Sequence, residues 1–237
     1  KLPVLDGIID RRILINYRVH PEVIKNLLPP HLDPLVINGY GSAGICLLRL
    51  KNIGIKHSSQ FLRITSENAA HRFLVKWIEN GEEMHGVYIP RRDTDSVLNV
   101  WLAGNLFSWP HYMAHFEIQE GRGSYSLKMK SKDMSSHLQI RAEIANDFPT
   151  VSMFDSLEHA STCFQNCAVG ISPSKNPNQL KVIQLKTKTW IVTPLHVQEL
   201  QSSYFENSNL FPTGQIHFDN ALLMEGIEHE WHGYSSK

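Results

Sequence analysis

Alternation of apolar and polar residues with a period of two is the feature that most constrains the fold of this 237-residue chain. Near the N-terminus, Ile13, Ile15 and Tyr17 alternate in this way, which places them on one face of a strand. Segments 60–78 and 84–90 also read as strands, and they flank Asn80-Gly81, a pair typical of the type I′ turn of a β-hairpin. The chain is therefore predicted to consist mainly of antiparallel strands.

Three short helices are predicted between the strands, because proline, aspartate or serine stands where a helix can begin. They cover residues 21–28, residues 97–106 after Asp95-Ser96, and residues 155–164 with Asp155 as the cap. With about eight to ten strands, this pattern indicates an α+β fold whose mainly antiparallel sheet is strongly curved or closed. Because segment 172–178 is the one linker-like stretch, residues 1–237 are predicted to form a single domain.

The charge balance argues against several classes of partner. The chain has 23 basic and 23 acidic side chains, so it lacks the basic field that drives binding to nucleic acids or to anionic membranes. No apolar run approaches the 18 residues that a membrane helix needs. Three cysteines cannot form a disulfide framework, which favours a reducing, cytoplasmic location. The sequence leaves open whether the chain forms homo-oligomers.

The common catalytic and cofactor motifs are missing from the sequence. There is no glycine-rich dinucleotide or phosphate loop, no nucleophile elbow and no His-Glu-x-x-His metal motif. His229 and His232 are three residues apart, but they lack a third ligand at the spacing of a known zinc site. We therefore predict no metal site and no cofactor, although 13 histidines keep a metal hydrolase open as an alternative.

The first candidate site lies in segment 66–72, where two alanines interrupt a run of polar residues. A period of two places Glu67 and His71 on one face of a strand, with a small residue between them. Such a pair can carry out general acid–base chemistry or hold a polar ligand, so Glu67 is a candidate catalytic residue and His71 a candidate ligand contact. Equally, this face could be solvated and carry no function. The opposite face carries Asn68, Ala70 and Arg72.

The second candidate site lies at a strand-to-helix junction, where Arg91 and Arg92 stand beside two aspartates. A guanidinium fork at this place can clamp a carboxylate or an enolate, which makes both arginines candidate ligand contacts. In the alternative reading, one arginine pairs with Asp93 or Asp95 and the segment is a self-satisfied turn.

The third candidate site begins a predicted strand after Pro110. His111 and His115 share one face of that strand, whereas Tyr112 lies on the other. Two histidines on one face near an arginine cluster indicate a site more strongly than one histidine does. His111 is therefore a candidate general base, and Tyr112 and His115 are candidate ligand contacts.

Several segments together form a recognisable pattern. The segments are Asn-Tyr-Arg-Val-His-Pro-Glu from residue 16, Leu-Pro-Pro-His-Leu from residue 28, Ser-Glu-Asn-Ala-Ala-His-Arg at 66–72, Pro-Arg-Arg-Asp-Thr at 90–94, Trp-Pro-His-Tyr-Met-Ala at 109–114 and Phe-Asp-Asn-Ala-Leu-Leu-Met at 218–224. Together they resemble the acetoacetate decarboxylase-like superfamily, and most closely its uncharacterised YqjF-like branch. The resemblance implies a closed, barrel-like sheet around a small-molecule pocket.

The resemblance also carries implications for single residues. Arg18 matches the arginine of the opening motif, and Glu67 matches the active-site glutamate of the family. Decarboxylases of this family form a Schiff base on a lysine whose pKa an adjacent lysine lowers, and those two positions read His111 and Tyr112 here. Schiff-base decarboxylation is therefore not expected.

From these observations we predict a metal-free enzyme that acts on a small carbonyl or carboxylate compound by hydration, dehydration, enolisation or lactone opening. His111, Glu67 and Arg18 are its predicted catalytic residues. The first alternative is a binding or sensing module without turnover, and the second is the metal hydrolase. The sequence does not decide whether residues 202–205 line the pocket. The predicted ligand contacts are His71, Arg91, Arg92, Tyr112 and His115.

Overall fold

The computed structural model describes residues 3–57, 63–102, 111–173 and 180–235. Within these ranges the chain forms thirteen strands and three helices. The strands are β1 (Leu5–Val19), β2 (Asp33–Pro34), β3 (Val36–Ile37), β4 (Tyr40–Ile55), β5 (Ile64–Glu79), β6 (Glu82–Thr94), β7 (Tyr112–Gly121), β8 (Ser124–Ser131), β9 (His137–Ile144), β10 (Val169–Pro173), β11 (Leu180–Thr187), β12 (Thr193–Ser202) and β13 (Ile216–Ser235). The helices are α1 (Pro21–Lys25), α2 (Val97–Leu102) and α3 (Leu157–Asn166).

All the strands belong to one sheet, and its hydrogen bonds close into two rings. The larger ring runs β13-β1-β4-β5-β6-β7-β8-β9-β12, and the smaller runs β13-β1-β4-β5-β6-β10-β11. Five strands are therefore common to both rings. Among the pairings of the described strands, two are parallel: β6 with β7 and β6 with β10. The prediction of a mainly antiparallel, closed sheet with about three short helices is confirmed.

Neighbouring residues of the shared strands belong to two different apolar cores. Ile13 and Ile15 lie in the core of the nine-stranded ring, with Leu127 of β8, whereas Leu14 lies in the second core. Helix α3 covers the second core with Phe164. Because both faces are buried, long parts of the shared strands read as continuous apolar runs rather than as clean alternation.

Local turn and capping signals account for several element boundaries. Asn80 and Gly81 have φ values of 53° and 86°, as expected for the predicted tight turn between β5 and β6. Helix α3 is capped by Ser156, whose Oγ accepts from the backbone N–H of His159 at 3.1 Å. The prediction of Asp155 as the cap was wrong by one residue.

Helix α1 is shorter than predicted, whereas α2 agrees with the prediction over its described residues. Helix α1 ends at Lys25 rather than at residue 28, and α2 is described to Leu102 only. The predicted continuation of α2 to residue 106, the start of the strand prediction at residue 60 and most of the linker-like stretch lie outside the described residues. None of the helices in the described ranges is long and apolar enough to cross a membrane.

Candidate functional site

A cavity of about 500 Å³ lies inside the seven-stranded ring. All seven strands of that ring contribute side chains, together with α2, α3 and the segments that flank them. Its walls are mainly aliphatic, and Phe164, Trp190 and Trp231 add aromatic surface. A cavity of this size, with apolar walls and a few polar groups, is typical of small-molecule sites.

The polar lining of the cavity is strongly basic. Arg12 on β1, Arg72 on β5 and Arg92 on β6 all line it, together with Asn68, Asn99 and His111. None of the described lining residues is an aspartate, a glutamate or a lysine. The cavity therefore concentrates positive charge within apolar walls and lacks a lining carboxylate to balance it over the described ranges.

Arg72 is the most deeply buried of the three cations, with 3% of its surface exposed. Its Nη2 donates to Oδ1 of Asn16, and its guanidinium carbon lies 4.8 Å from the ring centroid of Phe164. Nε is buried, and no described atom accepts its hydrogen. Burial lowers the pKa of Arg72 to about 10, so the side chain stays charged at neutral pH although the charge is costly there.

Arg12 has only weak acceptors among the described atoms. Its Nε lies 3.3 Å from Sγ of Cys46, and its guanidinium carbon lies 5.5 Å from the ring centroid of Trp190. Arg92 donates to Oγ of Ser172 at 2.5 Å, and burial lowers its pKa to about 10. The weak, neutral partners of Arg12 orient its guanidinium without cancelling its charge.

The register of the sheet explains why a ligand has room between these arginines. Cys46 of β4 pairs with Ala70 of β5, and Ala70 pairs with Arg92 of β6. Adjacent strands are about 4.8 Å apart, so this cross-strand row places two small side chains on the floor beside Arg92. Arg12 reaches Cys46 from the other side.

Two of the eight residues predicted for the site line the cavity: His111 and Arg92. The face split predicted for β5 is present in the structure, but Glu67 faces away from the cavity. Its carboxylate accepts from Arg11 at 2.5 Å and from Arg49 at 2.6 Å, in an ion-pair cluster that also contains Glu120. Glu67 is thus neutralised in the nine-stranded ring, and its predicted catalytic role stays a prediction.

His71 lies on the same face as Glu67 and is fully buried. Its ring centroid lies 4.4 Å from that of Tyr204, and neither ring nitrogen has a hydrogen-bond partner in the described part of the chain. Burial, aided by the charge of Arg91, lowers the pKa of His71 to about 3, so the ring is neutral. Tyr204 and Phe205 pack in the core of the larger ring, and neither is among the described residues that line the cavity.

Arg91 agrees with the alternative prediction for this segment, in which an arginine pairs with a neighbouring aspartate. It donates to both oxygens of Asp93, at 2.9 and 2.7 Å, contacts Asp133, and stacks 4.1 Å from the ring centroid of Tyr112. The side chain of His115 is 74% exposed and lies 3.8 Å from Glu117.

Arg18 lies outside the described lining of the cavity as well. It donates to the carbonyl oxygen of Val151 and to Asp219, both at 3.3 Å. The roles assigned to Arg18, Arg91, Tyr112 and His115 stay predictions, because the structure does not bring these residues together with His111.

Sequence reasoning missed Arg12, Asn68, Arg72 and Asn99. Asn68 and Arg72 were placed on the correct face by their period of two, but that face was not chosen as the site. For Arg12 the sequence gives no signal, since Arg11 stands beside it and only the folded chain shows which of the two meets carboxylates.

The histidines near the C-terminus do not gather other metal ligands. His229 is buried against Trp231, with ring centroids 4.4 Å apart, and His232 pairs with Glu230 at 2.9 Å. Over the described ranges, no group of three or more His, Cys, Asp or Glu residues is placed to hold a metal ion.

Solved structures with a similar fold include enzymes. Acetoacetate decarboxylase from Legionella pneumophila subsp. pneumophila str. Philadelphia 1 aligns with a TM-score of 0.61 and 12% identity, over 100% of this chain and 88% of that chain. The enduracididine biosynthesis enzyme MppR complexed with pyruvate aligns with a TM-score of 0.61 and 10% identity, over 98% and 90%. An acetoacetate decarboxylase-like enzyme from Sphingomonas wittichii RW1 gives 0.59 and 10%, over 100% and 93%.

At such low identities these likenesses show the fold alone, and they confirm the acetoacetate decarboxylase-like architecture that the sequence segments indicated. No curated protein matches the chain. The family model of the uncharacterized conserved proteins DUF2071 (COG2071) matches residues 9–220, and the chain therefore belongs to that family.

Proposed function

We propose that this protein binds a small organic carboxylate with an apolar body in the cavity of the seven-stranded ring and acts on it by proton transfer, without a Schiff-base lysine. One observation carries the proposal: Arg12 and Arg72 bring positive charge to a cavity of which no described lining residue is acidic. Buried charge requires a counter-charge, and a carboxylate from the ligand supplies it.

The geometry assigns separate tasks to the lining residues. The Arg72 side chain lines the cavity, and the planar fork of a guanidinium matches a carboxylate with two parallel hydrogen bonds. The aliphatic and aromatic walls receive the apolar body. His111 is the one imidazole among the described lining residues, so it is the group that exchanges a proton with the carbon or hydroxyl beside the carboxylate.

The similar structures support a small oxo acid as the first ligand class to test, because the structure of MppR holds pyruvate. The described lining residues contain no lysine, which supports a reaction without an iminium intermediate. Enolisation and hydration both need only an anchored acid and one proton-transfer group.

A binding or sensing module is the second candidate. Among the described lining residues, His111 is the only side chain whose ordinary pKa lies near neutrality, and many acid–base reactions need a second such group. The same cavity without turnover would serve as a receptor for the same class of ligand.

The test uses the purified full chain with a panel of 2-oxo acids, 2-hydroxy acids and lactones in thermal-shift assays and calorimetry. The matched pair 4-methyl-2-oxopentanoate and its neutral amide isolates the charge, and we expect the acid to bind at least about 10-fold more tightly. Acids that fail to bind, or an amide that binds equally well, would refute the proposal.

Turnover is tested separately with the acid that binds best. Exchange of the hydrogen beside its carbonyl group in D₂O, followed by NMR, is expected to be fast in the wild type and slow in His111→Ala, whereas His115→Ala serves as the exposed control. Binding with no exchange and no product leaves the receptor function. A lysine adduct trapped by borohydride would contradict the proposed chemistry.

A further inference from the structure

A network of buried polar side chains runs from the cavity across the neighbouring strands β5, β4, β1 and β13. Arg72 donates to Oδ1 of Asn16, Nδ2 of Asn16 donates to Oδ1 of Asn220 at 2.7 Å, and Nδ2 of Asn220 donates to Oδ2 of Asp219 at 2.6 Å. All four residues are nearly or fully buried, with 3%, 0%, 0% and 3% exposure in that order. Buried polar groups that are linked to one another in this way specify one geometry.

The register of the sheet builds this network. Asn220 of β13 pairs with Asn16 of β1, Asn16 pairs with Gly44 of β4, and Gly44 pairs with Arg72 of β5. The Arg72 side chain must therefore cross β4 to reach Asn16. Glycine is needed at residue 44 for the close approach of β1, because a Cβ there would lie only 2.4 Å from the carbonyl oxygen of Ile15, whereas its distance of 3.4 Å from Nη2 of Arg72 would be an ordinary contact.

Asp219, the residue of this network that lies farthest from the cavity, carries its negative charge. Asp219 also accepts from Oγ of Ser152 at 2.6 Å, from the backbone N–H of Met153 at 2.9 Å and from Arg18 at 3.3 Å. Two amide groups separate this carboxylate from the guanidinium of Arg72. The amides pass on polarisation but no charge, so Arg72 is oriented without being neutralised.

We infer that Asn16, Asn220 and Asp219 are positioning residues that hold Arg72 as the anchor for the carboxylate of the ligand. The inference rests on the proposed function and deepens it. An amide at residue 16 fixes Nη2, the ring of Phe164 fixes the guanidinium plane, and the Arg72 side chain still lines the cavity. A carboxylate in place of that amide would instead compete with the ligand for Arg72.

The experiment measures binding of 4-methyl-2-oxopentanoate and its neutral amide to variants of the chain. In Asn16→Asp, we expect the acid to bind at least 10-fold more weakly and the amide to bind as before, because Arg72 gains an internal counter-charge. Asp219→Asn removes the charged end and is expected to weaken the acid about 3-fold to 10-fold. Ser152→Ala is the control, because Ser152 donates to the same Asp219 oxygen but does not lie between Asp219 and Arg72. We expect it to change the affinity for the acid less than 2-fold.

The preference for acid over amide is the readout, because general damage to the fold would weaken both ligands together. An unchanged preference in Asn16→Asp or, if that variant does not fold, in Asp219→Asn would overturn the inference while leaving the proposed function intact. A loss of preference in Ser152→Ala equal to that in Asp219→Asn would also overturn it. No acid binding by the wild type would overturn the proposed function, and the inference with it.

Discussion

Replacing Arg72 with methionine is expected to stabilise the ligand-free protein while abolishing its ligand binding. Burial lowers the pKa of Arg72 from 12.5 to about 10, and one pKa unit corresponds to about 1.4 kcal/mol, so the buried charge costs about 3 kcal/mol at pH 7. Against this gain, Oδ1 of Asn16 loses its donor, at about 1 to 2 kcal/mol, and the contact with Phe164 loses up to about 1 kcal/mol. The net expectation is a gain of about 1 kcal/mol.

The assays are urea unfolding and thermal unfolding at pH 7.5 without ligand. In thermal unfolding we expect the melting temperature of Arg72→Met to lie about 2 to 4 °C above that of the wild type, given the size of the protein. Arg11 is the matched control, because it is 2% exposed but pairs with Glu67 and Glu120. Arg11→Met is expected to destabilise by about 2 to 3 kcal/mol, since the partly buried carboxylates of Glu67 and Glu120 each lose one of their two arginine partners. If Arg72→Met destabilised the chain as much as Arg11→Met does, the argument that Arg72 is held at a cost for a ligand would be refuted.

Three further predictions concern neighbouring positions. His71→Leu is expected to weaken the dependence of the unfolding free energy on pH below pH 6.5. Between pH 6.5 and about 3 the unfolded wild type binds a proton that the folded wild type excludes, so its unfolding free energy falls by about 1.4 kcal/mol for each pH unit. Equal slopes of unfolding free energy against pH in the two proteins, measured by urea unfolding, would contradict this. Ala70→Leu is expected to fill the cavity floor, weakening 4-methyl-2-oxopentanoate at least 10-fold in calorimetry without lowering the melting temperature, so a variant that melts early would count against the open floor. Gly44→Ala is expected to destabilise by about 3 kcal/mol in urea, because its Cβ meets the carbonyl oxygen of Ile15, and a neutral effect would mean that β1 and β4 can separate cheaply.

Much of the fold could be predicted from the sequence, because strands and tight turns are signalled by residues that are close together along the chain. The period of two in Ile13, Ile15 and Tyr17 and the turn at Asn80-Gly81 depend on neighbours along the chain, and both agree with the structure. The closure of the sheet into two rings is different, since it depends on pairings such as β11 with β13 between residues about 50 positions apart. Alternation says that a strand exists, but it does not say which strand lies beside it.

The candidate site was less accessible for the same reason. In β5 the sequence separated the face of His71 from the face of Arg72, but both faces are buried, so there was no solvent-exposed face to exclude. Arg11 and Arg12 are identical in type and adjacent in sequence, and only the distant carboxylates of Glu67 and Glu120 distinguish them. Which arginine remains available to a ligand is a property of the pairing, and no motif records it.

The strands that belong to both rings restrict how this family can change in length. Because successive residues of β5 serve opposite interiors, deleting one residue ahead of Glu67 would carry His71 into the cavity and Arg72 into the apolar core. A point substitution alters one interior alone, whereas an insertion or deletion in a shared strand disrupts both at once. Relatives are therefore expected to differ in the ligand that they bind through single replacements on the cavity face. They are expected to vary in length only in loops and in strands that belong to one ring.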